Sequence, residues 1–404
     1  MPFSFADWRS AIEHDLTTNI LPFWRTHTPD LVNGGFVGAL TNDLKVRNDV
    51  PRSAVVCARI LWTYAAAYRL YGDPADLAMA QRALDELTGR FWDPVHQGVV
   101  WSIDAQGKPV EPRKHSYAQA FAIYGLSEHH NATSDPRSLQ LAQTLHLLLE
   151  RHAADPVYGG YLEGRNPTWG QLDDMRLSAL EPQCRKSMNT LLHILEAYTN
   201  LLRVWDDPAL RERQRALLRV FLDRVIDPQT HSFRLFFADD WRTWPEHEHV
   251  SPGHDIEGSW LLVEAAEVLG DPALLAEVRA VAVRMAEAVL ARGRDGEGAI
   301  VYAIGPDAVD ADRHWWVQAE GVVGFANAYQ LSGDARFLEA ARTCWEIIDR
   351  QFIDNRHGEW FKIVSPDGTP RPGQFKTGPW ECPYHNARMG FEMTSRLSSM
   401  EKLQ

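Results

Sequence analysis

Along most of the chain, apolar residues recur every three and four positions, the spacing that gives an α-helix one buried face. The stretches come in two kinds. LAMAQRALDELTGRFW and ALLAEVRAVAVRMAEAVL interleave apolar positions with many charges. AVVCARILWTYAAAYRL, SYAQAFAIYGLSEHH, SMNTLLHILEAYTNLLRV, HDIEGSWLLVEAAEVL and WWVQAEGVVGFANAYQL are richer in small and aromatic residues, and CPYHNARMGFEMTSRL completes that series. A recurring turn separates the second kind from the first: Gly72-Asp73-Pro74, Ser134-Asp135-Pro136, Asp206-Asp207-Pro208, Gly270-Asp271-Pro272 and Gly333-Asp334-Ala335. Its central aspartates lie 62, 72, 64 and 63 residues apart. Aspartate suits a helix N-cap, and proline is tolerated at the first helical position because its missing N–H has no partner there.

Each charged stretch runs into a second turn, at Asp93, Asp155, Asp227, Arg294 and Asp354, and DLVNGG from Asp30 repeats it near the N-terminus. Short β-like runs follow: VVWSI, YLEG, SFRLFF, AIVYAI and EWFKIV. The pattern predicts six helix pairs. One pair cannot bury its apolar face alone, but stacked pairs share a core. The expected fold is all-α, an (α/α)6 barrel with short β-like loops at one end, formed by residues 1–404 as a single catalytic domain. The charged helices should face outward and the aromatic ones inward. An open superhelix is the competing architecture.

Composition narrows the class. A formal charge of −13 provides no basic footprint, so nucleic acid is not an expected partner. No uninterrupted apolar segment is long enough to span a membrane. Cys57, Cys184, Cys344 and Cys382 are too scattered for a zinc motif or a disulfide framework. With no leader-like N-terminal segment, the expectation is a cytoplasmic protein, monomeric or weakly dimeric. The 15 tryptophans suit flat sugar rings, although tryptophan is more often core.

The repeat also serves as a ruler. Fourteen residues before the successive turn aspartates stand Arg59, Phe121, His193, Glu257 and Glu320. Eighteen before them stand Tyr117, Asn189 and Trp316, and His254 is 17 before Asp271. These rows differ by about one helical turn, so they share a face. They fall near the N-terminal ends of the inner helices, at one mouth of the barrel, where Trp380 and His385 join them from the sixth helix. Three histidines at corresponding helix ends favour a site over chance burial. His254 and Glu257 form an HxxE pair, neighbours on a helix, in which a carboxylate can raise and orient an imidazole. No second HxxE is counted on a matching helix, so a di-iron centre is not expected, and neither is any other metal.

Paired histidines fit proton transfer on both faces of one carbon. Abstraction of the proton α to a sugar aldehyde leaves an enediolate, whose oxyanion Arg59 could stabilise. Without a glycine-rich phosphate loop or a dinucleotide fingerprint, no cofactor is expected. Glycoside hydrolysis, which needs two carboxylates such as Glu257 and Glu320, and a non-catalytic sugar-binding role stay open as alternatives.

At KSMNTLLHILEAYTNLLR (186–203), GHDIEGSWLL (253–262), HWWVQAEGVVGFANAYQ (314–330) and GPWECPYHNARMGFEM (378–393), the chain resembles the N-acylglucosamine 2-epimerase superfamily, and within it the cellobiose 2-epimerases. KHSYAQAFAIYGL (114–126) and the helix around Arg59 fit as well. The resemblance implies an (α/α)6 barrel that epimerises carbon 2 of a reducing-end glucose or mannose unit without a cofactor. It implies His254 and His385 as acid and base, Glu257 orienting His254, and His193 near the substrate oxygens. Arg59 would stabilise the enediolate, Tyr117 and Trp316 would line the reacting-sugar subsite, and Trp380 and Trp244 would stack on sugar rings. Asn189 and Glu320 complete the expected substrate-binding set. Where the family reads MNTHLH, this chain has Leu191, so free mannose, by epimerisation or aldose–ketose isomerisation, stays open as an alternative substrate.

Overall fold

A computed structural model describes residues 4–178, 181–244 and 249–402. The inner helices are α3 (Ala54–Tyr71), α5 (Ser116–Thr133), α7 (Met188–Val204), α9 (Pro252–Leu269), α11 (Trp315–Ser332) and α13 (Tyr384–Glu401). Each touches the next around the axis, and α13 touches α3, so the ring closes and the open superhelix is excluded. Outside them pack α1 (Phe5–Asp15) with α2 (Leu21–His27), α4 (Pro74–Glu86), α6 (Pro136–His152), α8 (Pro208–Val220), α10 (Pro272–Arg292) and α12 (Ala335–Ile347). The burial follows composition: nearly every position in the first half of an inner helix is buried, whereas an outer helix buries one stripe.

The turns do what their residues predict. Asp73, Asp135, Asp207, Asp271 and Asp334 each accept an N–H of the following first helical turn. Gly72, at φ 71°, ends α3 in the left-handed conformation that a Cβ disfavours. The second turns, at the opposite end of each outer helix, are anchored by Asp30, Asp93, Asp155, Asp227, Asp295 and Asp354. Five of these hold a cation from the segment leading into the next inner helix: Arg52 at 2.7 Å, Lys114 at 3.0 Å, Lys186 at 2.7 Å, Arg313 at 2.6 Å and Lys376 at 2.5 Å. Asp227 instead takes Arg234 at 2.7 Å. These pairs fix where most inner helices begin.

The β-like runs shorten to strands of two or three residues, because each run must curl into a tight hairpin before the next helix. They still order the rim. Arg52–Ser53 pairs antiparallel with Ser102–Ile103, Lys114–His115 with Gly164–Arg165, Lys186–Ser187 with Phe236–Phe237, and Arg313–His314 with Ile363–Val364. Val250 bridges Ile304, and Leu40–Thr41 pairs with Phe375–Thr377, which completes the circle. The seam between the ends of the chain is fastened in the same way. Trp360 donates to Asp15 at 2.9 Å, Trp24 to Glu359 at 2.7 Å, and Arg9 meets Glu401 at 3.2 Å.

Candidate active site

The two rows read from the repeat converge at the N-terminal mouth of the ring. The Trp316 ring, from α11, lies 4.7 Å from the imidazole of His254 on α9 and 5.7 Å from that of His385 on α13. The Tyr117 ring lies 5.0 Å from His193 and 6.0 Å from Trp380. Arg59 donates to the Tyr117 hydroxyl at 2.9 Å. Six inner helices and the Trp380 lead-in therefore supply one cluster.

The imidazole partners differ from the expected pattern. Glu257 does not orient His254, whose Nδ1 is 2.7 Å from the Ser251 hydroxyl. His254 is the third residue of α9, so the residue before the helix is within its reach, while Glu257 turns toward the axis. The HxxE pair that does form is His193 with Glu196, at 2.8 Å, a second motif that the sequence reading overlooked. His385 Nδ1 lies 2.7 Å from Glu320.

Behind the imidazoles sits Arg388, 2% exposed, on α13 one turn after His385. Its guanidinium reaches Glu257 and Glu320 at 2.7 Å each and also bonds Glu196 and the Tyr384 hydroxyl. It is held over the rings of Trp260 at 4.7 Å and Tyr384 at 4.3 Å, and Trp260 itself donates to Glu320 at 3.0 Å. A buried cation serving three carboxylates decides their charge. Burial works against ionisation of Glu196, yet Arg388 and the His193 hydrogen bond hold its carboxyl down at about 2. Glu320 is likewise held low against burial, by Arg388 and His385. Glu257 is pushed upward by burial and by the Glu320 charge beside it. Two like charges so close cannot both ionise freely. Glu257, Glu320 and His385 bring metal-ligand atoms within 4.8 Å of one another, but the guanidinium already supplies the positive charge that both carboxylates face.

All three histidines are pushed toward the neutral form, chiefly by burial. A neutral imidazole whose Nδ1–H donates to a carboxylate presents a lone pair on Nε2, the form a general base needs. His385 on Glu320 and His193 on Glu196 are in that arrangement.

Arg59 is not the ion-pair partner of Glu257 or Glu320; Arg388 has that place. Arg59 is 4% exposed and lies over Phe121 at 4.2 Å and Tyr384 at 4.9 Å, with Cys382 Sγ at 3.8 Å. Among the described residues no carboxylate forms a salt bridge with it. A buried guanidinium lacking an anion is well suited to charge that develops in a reaction.

A cavity of about 290 Å³ opens on His254 and Asn189, with Ser178, Glu181 and Tyr302 around it. The buried Asn189 Oδ1 has no hydrogen-bond partner among the described residues. The Tyr302 ring stacks on His314 at 3.8 Å. Trp244 is not in the imidazole cluster. It lines a neighbouring cavity of about 550 Å³, which shares Phe236 and His249 with the first.

The sequence profile of the N-acylglucosamine 2-epimerase (GlcNAc 2-epimerase) family matches residues 34–388. Cellobiose 2-epimerase from Bacteroides fragilis is 43% identical over 387 residues, 95% of this chain and 98% of that protein. The chain belongs to the cellobiose 2-epimerase family, within the N-acylglucosamine 2-epimerase superfamily. Cellobiose 2-epimerase from Ruminococcus albus is 37% identical over 96% of this chain and 98% of its own. The structure of cellobiose 2-epimerase from Bacillus thermoamylovorans B4167 superposes with a TM-score of 0.92 at 36% identity, over 97% of this chain and 100% of that one. The family's barrel is thus the fold found here. Within this cellobiose 2-epimerase scaffold the sequence reading missed Arg388, Glu196, Ser251 and Tyr384. Signals existed for two of them: Glu196 stands three residues after His193, and Arg388 is an arginine on the same helix turn-face as His385.

Proposed function

We propose that this single-domain ring, residues 1–404, is a sugar 2-epimerase that interconverts reducing-end glucose and mannose units of β-1,4-linked disaccharides. The observation that carries the reading is the placement of two imidazoles, His254 and His385, from different helices against the one Trp316 ring. A sugar at that ring has two imidazoles, from separate helices, beside it.

The geometry supports the following steps. The imidazoles assist ring opening, which exposes the aldehyde and acidifies the carbon 2 proton. One imidazole takes that proton, and the C–H electron pair moves into an enediolate. The Arg59 guanidinium balances the charge gathered on oxygen. The other imidazole, which enters this step as an imidazolium protonated from solvent, gives its Nε2 proton to the opposite face of carbon 2 and becomes neutral, and the ring recloses. His193, fixed by Glu196, addresses the sugar hydroxyls, as do Asn189 and Tyr117. Trp316 and Trp380 offer ring faces. Glu320 backs His385, and Glu257 positions Arg388 rather than His254. The cavity beside His254 gives a second sugar unit a place to lie. Hydrolysis is less well served, since both candidate carboxylates are bound to one guanidinium.

Incubation with cellobiose, mannobiose, lactose and mannose in heavy water tests this reading. The expected result is deuterium at carbon 2 of both epimers, from a disaccharide in preference to mannose. Absence of label from all four sugars would remove the proton-transfer mechanism, and release of monosaccharide would favour hydrolysis.

A further inference from the structure

The three imidazoles of the site are not held alike. His193 and His385 each rest Nδ1 on a carboxylate, at 2.8 and 2.7 Å. His254 rests Nδ1 on a hydroxyl, that of Ser251, at 2.7 Å. Ser251 occupies the N-cap position of α9, where serine ordinarily accepts a backbone N–H of the first turn. Ser187, at the same position of α7, does so and accepts from Thr190 at 3.1 Å. Ser251 makes no such cap bond. Its hydroxyl is turned to the imidazole instead, on a residue 7% exposed that borders the cavity beside His254.

The chemistry of the partner matters. A carboxylate only accepts, so it locks Nδ1 as N–H and favours the imidazolium. A hydroxyl accepts or donates by rotating about its C–O bond. It therefore holds the ring in either protonation state without favouring the charged one. The other groups facing His254 do not change this balance toward charge. His193 from α7, His385 from α13 and His249 from the preceding loop disfavour its imidazolium, and Glu320 from α11 favours it only as a smaller influence. Glu257, on α9 itself, is engaged with Arg388.

We propose that Ser251 is the positioning residue of His254, fixing its ring for transfer at carbon 2 while keeping its imidazolium labile, so that the acid and base of this enzyme form an unlike pair. The inference rests on the epimerase reading of His254. In operation, the proton lost from carbon 2 forms the Nε2–H bond, and the Ser251 oxygen accepts from Nδ1–H. When Nε2 returns a proton to carbon, His254 is neutral again and the hydroxyl stays in place.

The test is kinetic, on the full chain with cellobiose. Ser251→Ala is expected to lower kcat by about ten- to a hundredfold through loss of ring alignment, with KM within about threefold of wild type. Ser251→Thr, which keeps the hydroxyl, is expected to recover most of the rate. Ser251→Asp puts a carboxylate on Nδ1, so the limb of the kcat–pH profile set by His254 should move to higher pH. His254→Asn separates the two levels. If it still exchanges carbon 2 hydrogen at the wild-type rate, the epimerase reading of His254 fails. If it is inactive while Ser251→Ala keeps the wild-type kcat and pH profile, only the role of Ser251 is overturned. A threonine variant no better than alanine also overturns it.

Discussion

Replacing Arg388 by methionine isolates the group that the whole cluster shares. The substitution keeps a long apolar side chain between Trp260 and Tyr384 and deletes the positive charge. Glu196, Glu257 and Glu320 are then left facing one another, each at or below 3% exposure. Removing one partner from a buried ion pair costs about 3–5 kcal/mol. For a chain of 404 residues, an unfolding entropy of roughly 2 cal/mol/K per residue makes this a fall in Tm of about 4–6 °C near neutral pH. The pH dependence gives the sign. In wild type, Glu196 and Glu320 are held below their ordinary range, so their contribution is present above the unfolded-state value of about 4.3 and is lost as pH falls toward about 2. Without the guanidinium the folded-state values rise above the unfolded ones, and stability is lost as pH increases instead. The gap between variant and wild type should therefore be wider at pH 8 than at pH 5.5. Thermal melts followed by tryptophan fluorescence at the two pH values measure it. A variant melting within about 1 °C of wild type at both, or a gap wider at the acid end, would refute the hub assignment.

Two further perturbations address neighbouring groups. Glu320→Gln keeps an acceptor for Trp260 but withdraws the charge behind His385, so kcat should fall by about 100-fold or more with KM little changed, as read by steady-state epimerisation of cellobiose. Asp255, 1% exposed, accepts the Phe233 N–H at 2.7 Å, and burial pushes its carboxyl up to about 7. Gln119 on α5 and Gln318 on α11 accept the matching N–H groups of Val99 and Ile300. A carboxyl raised this way favours the fold at low pH and loses that advantage as pH climbs from about 4 through 7, so Asp255→Asn should gain stability relative to wild type between pH 5 and 8, by about 2–4 kcal/mol, in the same melts.

Much of the ring was legible because its punctuation repeats. The Asp-Pro turns set helix starts, and counting back from them placed Arg59, His193, His254, Glu320 and Trp316 at one mouth. What counting along the chain could not supply is which side chains meet across the axis. His385 finds Glu320, 65 residues away, on the neighbouring inner helix, and Arg388 finds Glu196, 192 residues away, only because the ring closes. Within a helix the error was one of local competition. HxxE spacing allowed His254 to meet Glu257, but a serine three residues earlier was closer to its ring. Trp244 stands in a loop with no helical register, so the ruler had no hold on it. The β-like runs overstated their own length, since apolar content says where a chain is buried and not how soon it must turn.

The seam carries a consequence for how the molecule comes into being. His385 and Arg388 ride on α13, and α13 seats between α11, α3 and the amino-terminal α1. A nascent polypeptide synthesised as far as α11 holds five staves of the barrel and a gap where the sixth belongs. It has His254 without His385, and Glu196, Glu257 and Glu320 without the Arg388 guanidinium among them. On the proposed roles of His385 and Arg388, a product clipped before α13 is silent rather than partly active.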